Sequence, residues 1–255
     1  MSDPVRDPML PGVVPAPADG AEPMLPLRLK HHQAVFDLLG RPPVYRPEMA
    51  AVLNERERTL GITLPEAVRE WYLLEWPEEY SYPEQQAIPA ERLGRTSEDG
   101  RHPDMIVVGL WDGMFSDFVG LADGPDPGMR SCRTADSPPE PWGMTFSGFV
   151  LHTVWNGYVR EWMSVATSPT DALKEYVEWR WRRHPKFDSY GYSIFGDGQS
   201  KWICFGQDNG PRLALCSPTC DGLTGIVEEL LPLLPRGGWR GNESTSQRIA
   251  DDLLN

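Results

Sequence analysis

The chain has no apolar run of about 18 residues, so the sequence predicts no membrane-spanning helix. Its opening, MSDPVRDPMLPGVVPAPADGAEP, lacks a basic start followed by an apolar core. No secretory leader is expected there, and a cytoplasmic location is. Cysteine is scarce, with only Cys132, Cys204, Cys216 and Cys220. Cys216 and Cys220 have C-x3-C spacing, but no second pair and no nearby histidine completes a four-ligand zinc set. Scattered reduced thiols are expected, with no metal and no other cofactor. No Gly-Lys-Ser/Thr phosphate loop occurs, and the glycines of GLWDGMFSDFVG have the wrong spacing for one. Ser147 lies in TFSGF rather than in G-x-S-x-G, so there is no nucleophile elbow. Positive charge is also short: 24 Lys and Arg stand against 37 Asp and Glu, a net of −13. Phosphates and anionic lipids would be repelled, so neither nucleic acid nor membrane is an expected partner.

What is present is proline, glycine, tryptophan and unevenly placed acid. The 26 prolines and 24 glycines among 255 residues imply many turns and short elements. Residues 66–127 hold 14 acids against four arginines, whereas residues 128–186 hold six acids against eight bases. The acidic segment is either a solvated face or a docking face for a cationic partner. Residues 1–26 carry seven prolines and few core-forming side chains, as in a disordered arm.

Beyond the arm, LRLKHHQAVFDLLG places Leu29, Val35, Phe36 and Leu39 at helical spacing, with Gly40 as a stop. The spacing predicts a second helix over Glu48–Leu60, ended by Gly61 in the left-handed conformation. Thr63-Leu64-Pro65-Glu66 has the form of a capping box. Leu64, Ala67, Val68, Trp71 and Leu74 then line one face of a third helix. MIVVGLW, a turn at Asp112-Gly113 and MFSDFVGL predict a hairpin, with residues 128–134 as a third strand. SPPEPWG is an expected loop. TFSGFVLHTVWNGYVREWM predicts a helix capped by Thr145 or Ser147, and a further helix is expected from Thr170 to His184. GYSIF, KWICFG and RLALC form a three-strand meander. DGLTGIVEELLPLL is a core helix with Asp221 as its cap, and the tail offers one more short helix. Strands group together without a repeated βαβ rhythm, which predicts an α+β fold with helices packed on an antiparallel sheet.

The catalytic candidates are weak. Asp112 and Asp117 flank the hairpin and could act as a carboxylate pair only if burial separated their pKa values. His152 lies mid-helix beside Leu151 and Trp155 and reads as a packed residue. His31 and His32 are adjacent, so one helix face cannot present both to a metal. WRWRRHPK, residues 179–186, places cations at the negative end of a helix. Trp71, Trp155 and Trp162 read as core residues inside helices.

One resemblance emerges from this order of elements. Glu57, Leu60, Gly61, Leu64, Pro65, Trp71 and Tyr72 match E-x-x-L-G-x-x-L-P-x-x-x-x-x-[FW]-[YL], the opening motif of the SUKH superfamily, also called the Smi/Knr family. Phe146, Ser147, Phe149 and Leu151 look like its closing helix, and Asp126-Pro127 resembles its turn before a late strand. The likeness covers about residues 45–165. An SUKH-like core is therefore expected over 27–165, with 166–255 as an extension packed on it or as a small second domain. The resemblance implies a binding module and not an enzyme. Bacterial members resemble immunity proteins that block toxins, often nucleases, and fungal ones resemble regulators of cell-wall synthesis and signalling. One departure stands out: EWPEEYSYPEQQ replaces the family's asparagine–glycine loop. Its aromatics amid carboxylates suit a basic partner, such as a toxin domain. The candidate contact residues are Glu75, Trp76, Glu78, Glu79, Tyr80, Tyr82 and Glu84, with Asp112 and Asp117. A regulatory adaptor on the same module is the alternative, and an enzyme is a third reading with no motif behind it.

Overall fold

A computed structural model describes residues 28–80, 85–95, 104–111, 115–132, 138–185, 188, 192–206 and 211–255. The arm at 1–26 lies outside them.

Helices α1 (Gln33–Leu39), α2 (Met49–Leu60) and α3 (Glu66–Tyr72) come first. Gly40 and Gly61 close α1 and α2 with φ near +63° and +62°, a conformation that glycine adopts without a Cβ clash. The expected capping box is not formed. Helix α3 starts at Glu66 with Pro65 in the cap position, which leaves Thr63 outside the first turn. Glu57 of α2 takes over part of that role: its carboxylate accepts from the Leu64 N–H at 2.8 Å and pairs with Arg69. Glu66 turns instead to Lys30. The expected apolar face is buried throughout, at Leu64, Ala67, Val68, Trp71 and Leu74.

A first antiparallel sheet follows. Its strands are β1 (Gln85–Ala87), β2 (Gly94–Arg95), β3 (Met105–Trp111), β4 (Phe115–Gly120), β5 (Gly128–Cys132) and β6 (Glu140–Thr145). The order is β1-β3-β4-β5-β6, with β2 also paired to β3. The expected hairpin is β3–β4, in register from Trp111 opposite Phe115. The expected SPPEPWG loop is corrected from Glu140 onward, where β6 begins. Proline lacks a ladder donor and is tolerated on an edge strand; β6 is such an edge, Pro141 pairs opposite Arg130, and the register shifts beside it.

Helix α4 (Phe146–Tyr158) is the centre of the molecule. Thr145 caps it by accepting from the Gly148 N–H, while Asp126 accepts from both the N–H and hydroxyl of Ser147. Eight of the ten residues from Phe146 through Trp155 are buried, all but Ser147 and Gly148, as in a helix covered on all sides. The helix does not run on to Met163. Asn156-Gly157 weakens it, and residues 161–165 alternate between two faces, so they form strand β7 (Glu161–Val165). Trp162, expected inside a helix, sits on this strand and is 37% exposed.

The second sheet is built from β7 and the later strands. Thr170 caps α5 (Asp171–Arg180), which stops short of the expected His184 because β8 (Arg182–Arg183) is drawn into pairing with β9 (Ser193–Gly196). The meander continues through β10 (Trp202–Gly206) and β11 (Arg212–Ser217). Helix α6 (Cys220–Leu230) is capped by Thr219 rather than Asp221, since the Thr219 hydroxyl accepts from the Gly222 N–H at 3.2 Å. Strand β12 (Arg240–Gly241) and helix α7 (Ser244–Leu253) end the chain. The order is β12-β7-β11-β10-β9-β8, all antiparallel. Strand β7 thus pairs with β11 and β12 in the second sheet.

Alternation gives this sheet two buried faces. Met163, Val165, Ile203, Leu213 and Leu215 pack with α5, α6 and α7. Ile194, Trp202, Cys204, Ala214 and Cys216 join the core formed by α1–α4 and the first sheet. Trp155 of α4 meets Trp202 edge to face, with centroids 6.0 Å apart.

Candidate functional site

The residues after α3 set the first wall of the site. Trp76 stacks parallel to Trp71 at 6.2 Å and donates from Nε1 to the Trp71 carbonyl at 3.1 Å. Tyr80 is 8% exposed and sits edge-on to both indoles, 4.9 Å from Trp71 and 5.5 Å from Trp76. These contacts anchor the loop to the core, with Tyr80 buried and Trp76 partly buried. The neighbouring acids differ in exposure. Glu75 and Glu78 are exposed. Glu79 is 17% exposed and pairs with Arg41 at 2.6 Å. Glu78–Tyr80 forms a single 3-10 turn lying on α4. Gly157 makes that approach possible, because a Cβ there would collide with the Glu79 carbonyl. Tyr82, Glu84 and Asp112 lie outside the described residues. Asp117 is placed by its backbone in β4, opposite Gly109 and Ser131.

Glu78 and Glu79 stand at the mouth of an open cleft of about 1050 Å³. One wall is their turn and the C-terminal half of α4, with His152, Trp155 and Asn156. The floor is the inner face of the second sheet, where Ile194, Cys204, Ala214 and Cys216 lie. Trp162, Arg212 and the start of α7 with Glu243 complete the rim. The sequence reasoning assigned none of this second wall to the site. Its signal was the two-residue alternation of 161–165 and 212–216, which sets Trp162, Ser164, Arg212, Ala214 and Cys216 on one face.

The electrostatics of the cleft are mixed. Desolvation lowers His152 to about 4, so its ring is neutral at pH 7, as a packed histidine would be. Outside the cleft lining, at the end of α4, burial raises the Tyr158 phenol, with Asp197 and Glu79 adding to it. Arg212 Nε is buried with no hydrogen-bond partner among the described residues. The Glu243 carboxylate is used locally, capping α7 reciprocally with Ser246. Among the described residues no group of three or more His, Cys, Asp or Glu is placed to hold a metal. No helix among them is long and apolar enough to cross a membrane. No family model, characterised protein or solved structure matches the chain.

Proposed function

We propose that the protein is a binding module of SUKH type that occupies a basic protein partner, in the manner of an immunity protein blocking a toxin such as a nuclease. The observation that carries this reading is the acidic lip: Glu75 and Glu78 are exposed, and Glu78 and Glu79 line the edge of a large cleft. The lip is rigid because Trp76 and Tyr80 pack inward on Trp71. A rigid acidic edge presents charge to a cationic surface without an ordering cost at the moment of binding. The resemblance residues also cooperate physically. Glu57 holds the start of α3 through Leu64, and Asp126 holds the start of α4 through Ser147. These bonds give the motif positions structural roles, which leaves partner contact to the loop that departs from the motif.

The test is association kinetics with a basic nuclease domain encoded in an adjacent reading frame. The double variant Glu75→Lys/Glu78→Lys should associate roughly tenfold more slowly at low salt, with the difference fading at high salt. Glu79 is left intact so that the Arg41 pair survives. Kinetics unchanged at both salt concentrations would sink the reading.

A further inference from the structure

The second sheet brings two thiols into contact at the cleft floor. Cys204 Sγ and Cys216 Sγ are 3.8 Å apart, and neither is in a disulfide. Register explains the meeting. Cys204 lies opposite Ala214 and Cys216 opposite Trp202, so the two cysteines are diagonal neighbours on one face. Diagonal neighbours have Cα atoms roughly 7–8 Å apart. A disulfide wants Cα atoms about 4.4–6.8 Å apart and sulfurs about 2.0 Å apart, so the backbone would have to move. A soft ion held linearly between two thiolates needs about 4.6 Å between the sulfurs, from metal–sulfur bonds of about 2.3 Å. The observed separation is nearer the second requirement.

We propose that Cys204 and Cys216 form a binding site for a soft monovalent cation of the Cu(I) class, reached through the cleft. Two S–H bonds break and two S–Cu bonds form, both protons leave to solvent, and no electron is transferred. The resulting bis-thiolate centre carries one negative charge. A second observation favours an anion there. Arg212 shares the cleft face of β11 with Ala214 and Cys216, two register positions along from the Cys204–Ala214 pair, and its buried Nε lacks a partner among the described residues. Ile194 and Ala214 provide apolar surroundings, which disfavour hard, strongly hydrated ions. This site is separate from the acidic lip and stands or falls without it.

The full reduced chain is titrated anaerobically with Cu(I) supplied as its acetonitrile complex, in competition with bathocuproine disulfonate. One Cu(I) per chain is expected for the parent protein and for Cys132→Ser and Cys220→Ser. Cys204→Ser and Cys216→Ser should lose roughly tenfold or more in affinity. Because either buried variant could misfold, a second measurement uses the parent alone: bound Cu(I) should protect Cys204 and Cys216 from iodoacetamide. No uptake by the parent, uptake indifferent to both substitutions, or protection of other cysteines would overturn the proposal. So would continued uptake of Cu(I) by a protein in which peroxide has linked Cys204 to Cys216.

Discussion

His152 shows how one buried side chain gives the fold a pH dependence. It sits on α4, 8% exposed, within 3.2 Å of Asn156 Nδ2. Its folded-state pKa is about 4, below the ordinary 6.5, and the cause is desolvation. Between those values the unfolded chain takes up a proton that the folded chain refuses. Stability is therefore full above about 6.5, falls as pH drops toward about 4, and loses nothing further from this group below that. The ceiling on the loss is on the order of 3 kcal/mol. His32 is pushed in the same direction by burial, against the pull of its bond to the Ala67 carbonyl and of Glu70 and Asp126. Urea midpoints measured across this window should fall less steeply in His152→Gln than in the parent. Equal slopes would mean that His152 is already charged in the folded protein.

At the scale of elements, the contact of α4 with the Glu78–Tyr80 turn is the sensitive one. Helix propensity alone favours Gly157→Ala by about 1 kcal/mol. The tertiary contact reverses the sign, because the new Cβ meets the backbone carbonyl of Glu79, which cannot rotate away. A net loss of about 1–3 kcal/mol is expected from this overpacking. The turn carrying Glu78 and Glu79 would shift with it, so partner association should slow as well. A raised Tm in thermal unfolding of Gly157→Ala would refute the close packing of turn on helix.

For the whole molecule, the second sheet determines whether the halves behave as one. Its inner face belongs to the same core as α1, α3 and α4, and Trp202 is fully buried against Trp155 at the junction. Trp202→Ala should cost about 3–5 kcal/mol, as large-to-small changes in a packed core do. The loss should appear in a single unfolding transition reported by both halves. Two separated transitions in the parent protein would show instead that the junction is weakly coupled. The net charge of −13 acts at this same scale, drawing cationic partners over a distance set by salt.

Much of the architecture was legible in local chemistry. Gly40 and Gly61 mark helix ends because only glycine enters the left-handed region cheaply, and the β3–β4 hairpin and the β9–β11 meander follow from apolar runs broken by turns. The apolar face from Leu64 to Leu74 was read in full, because helical periodicity is a property of the chain itself. What local pattern could not supply was competition between distant partners. Glu57 displaced Thr63 as the acceptor for the start of α3, and β9 drew Arg182–Arg183 out of the expected helix. Trp76 stacks on Trp71 and Tyr80 packs edge-on to it, contacts that a run of aromatics amid acids does not encode. The site divides the same way. The acids at Glu75, Glu78 and Glu79 are visible in sequence as a run of charge. The cleft that Glu78 and Glu79 border exists only because a sheet formed more than 80 residues later packs against α4, and no local signal measures that approach. Periodicity and turn chemistry thus determined which elements form; long-range burial decided which faces meet, and with them where a partner or an ion could bind.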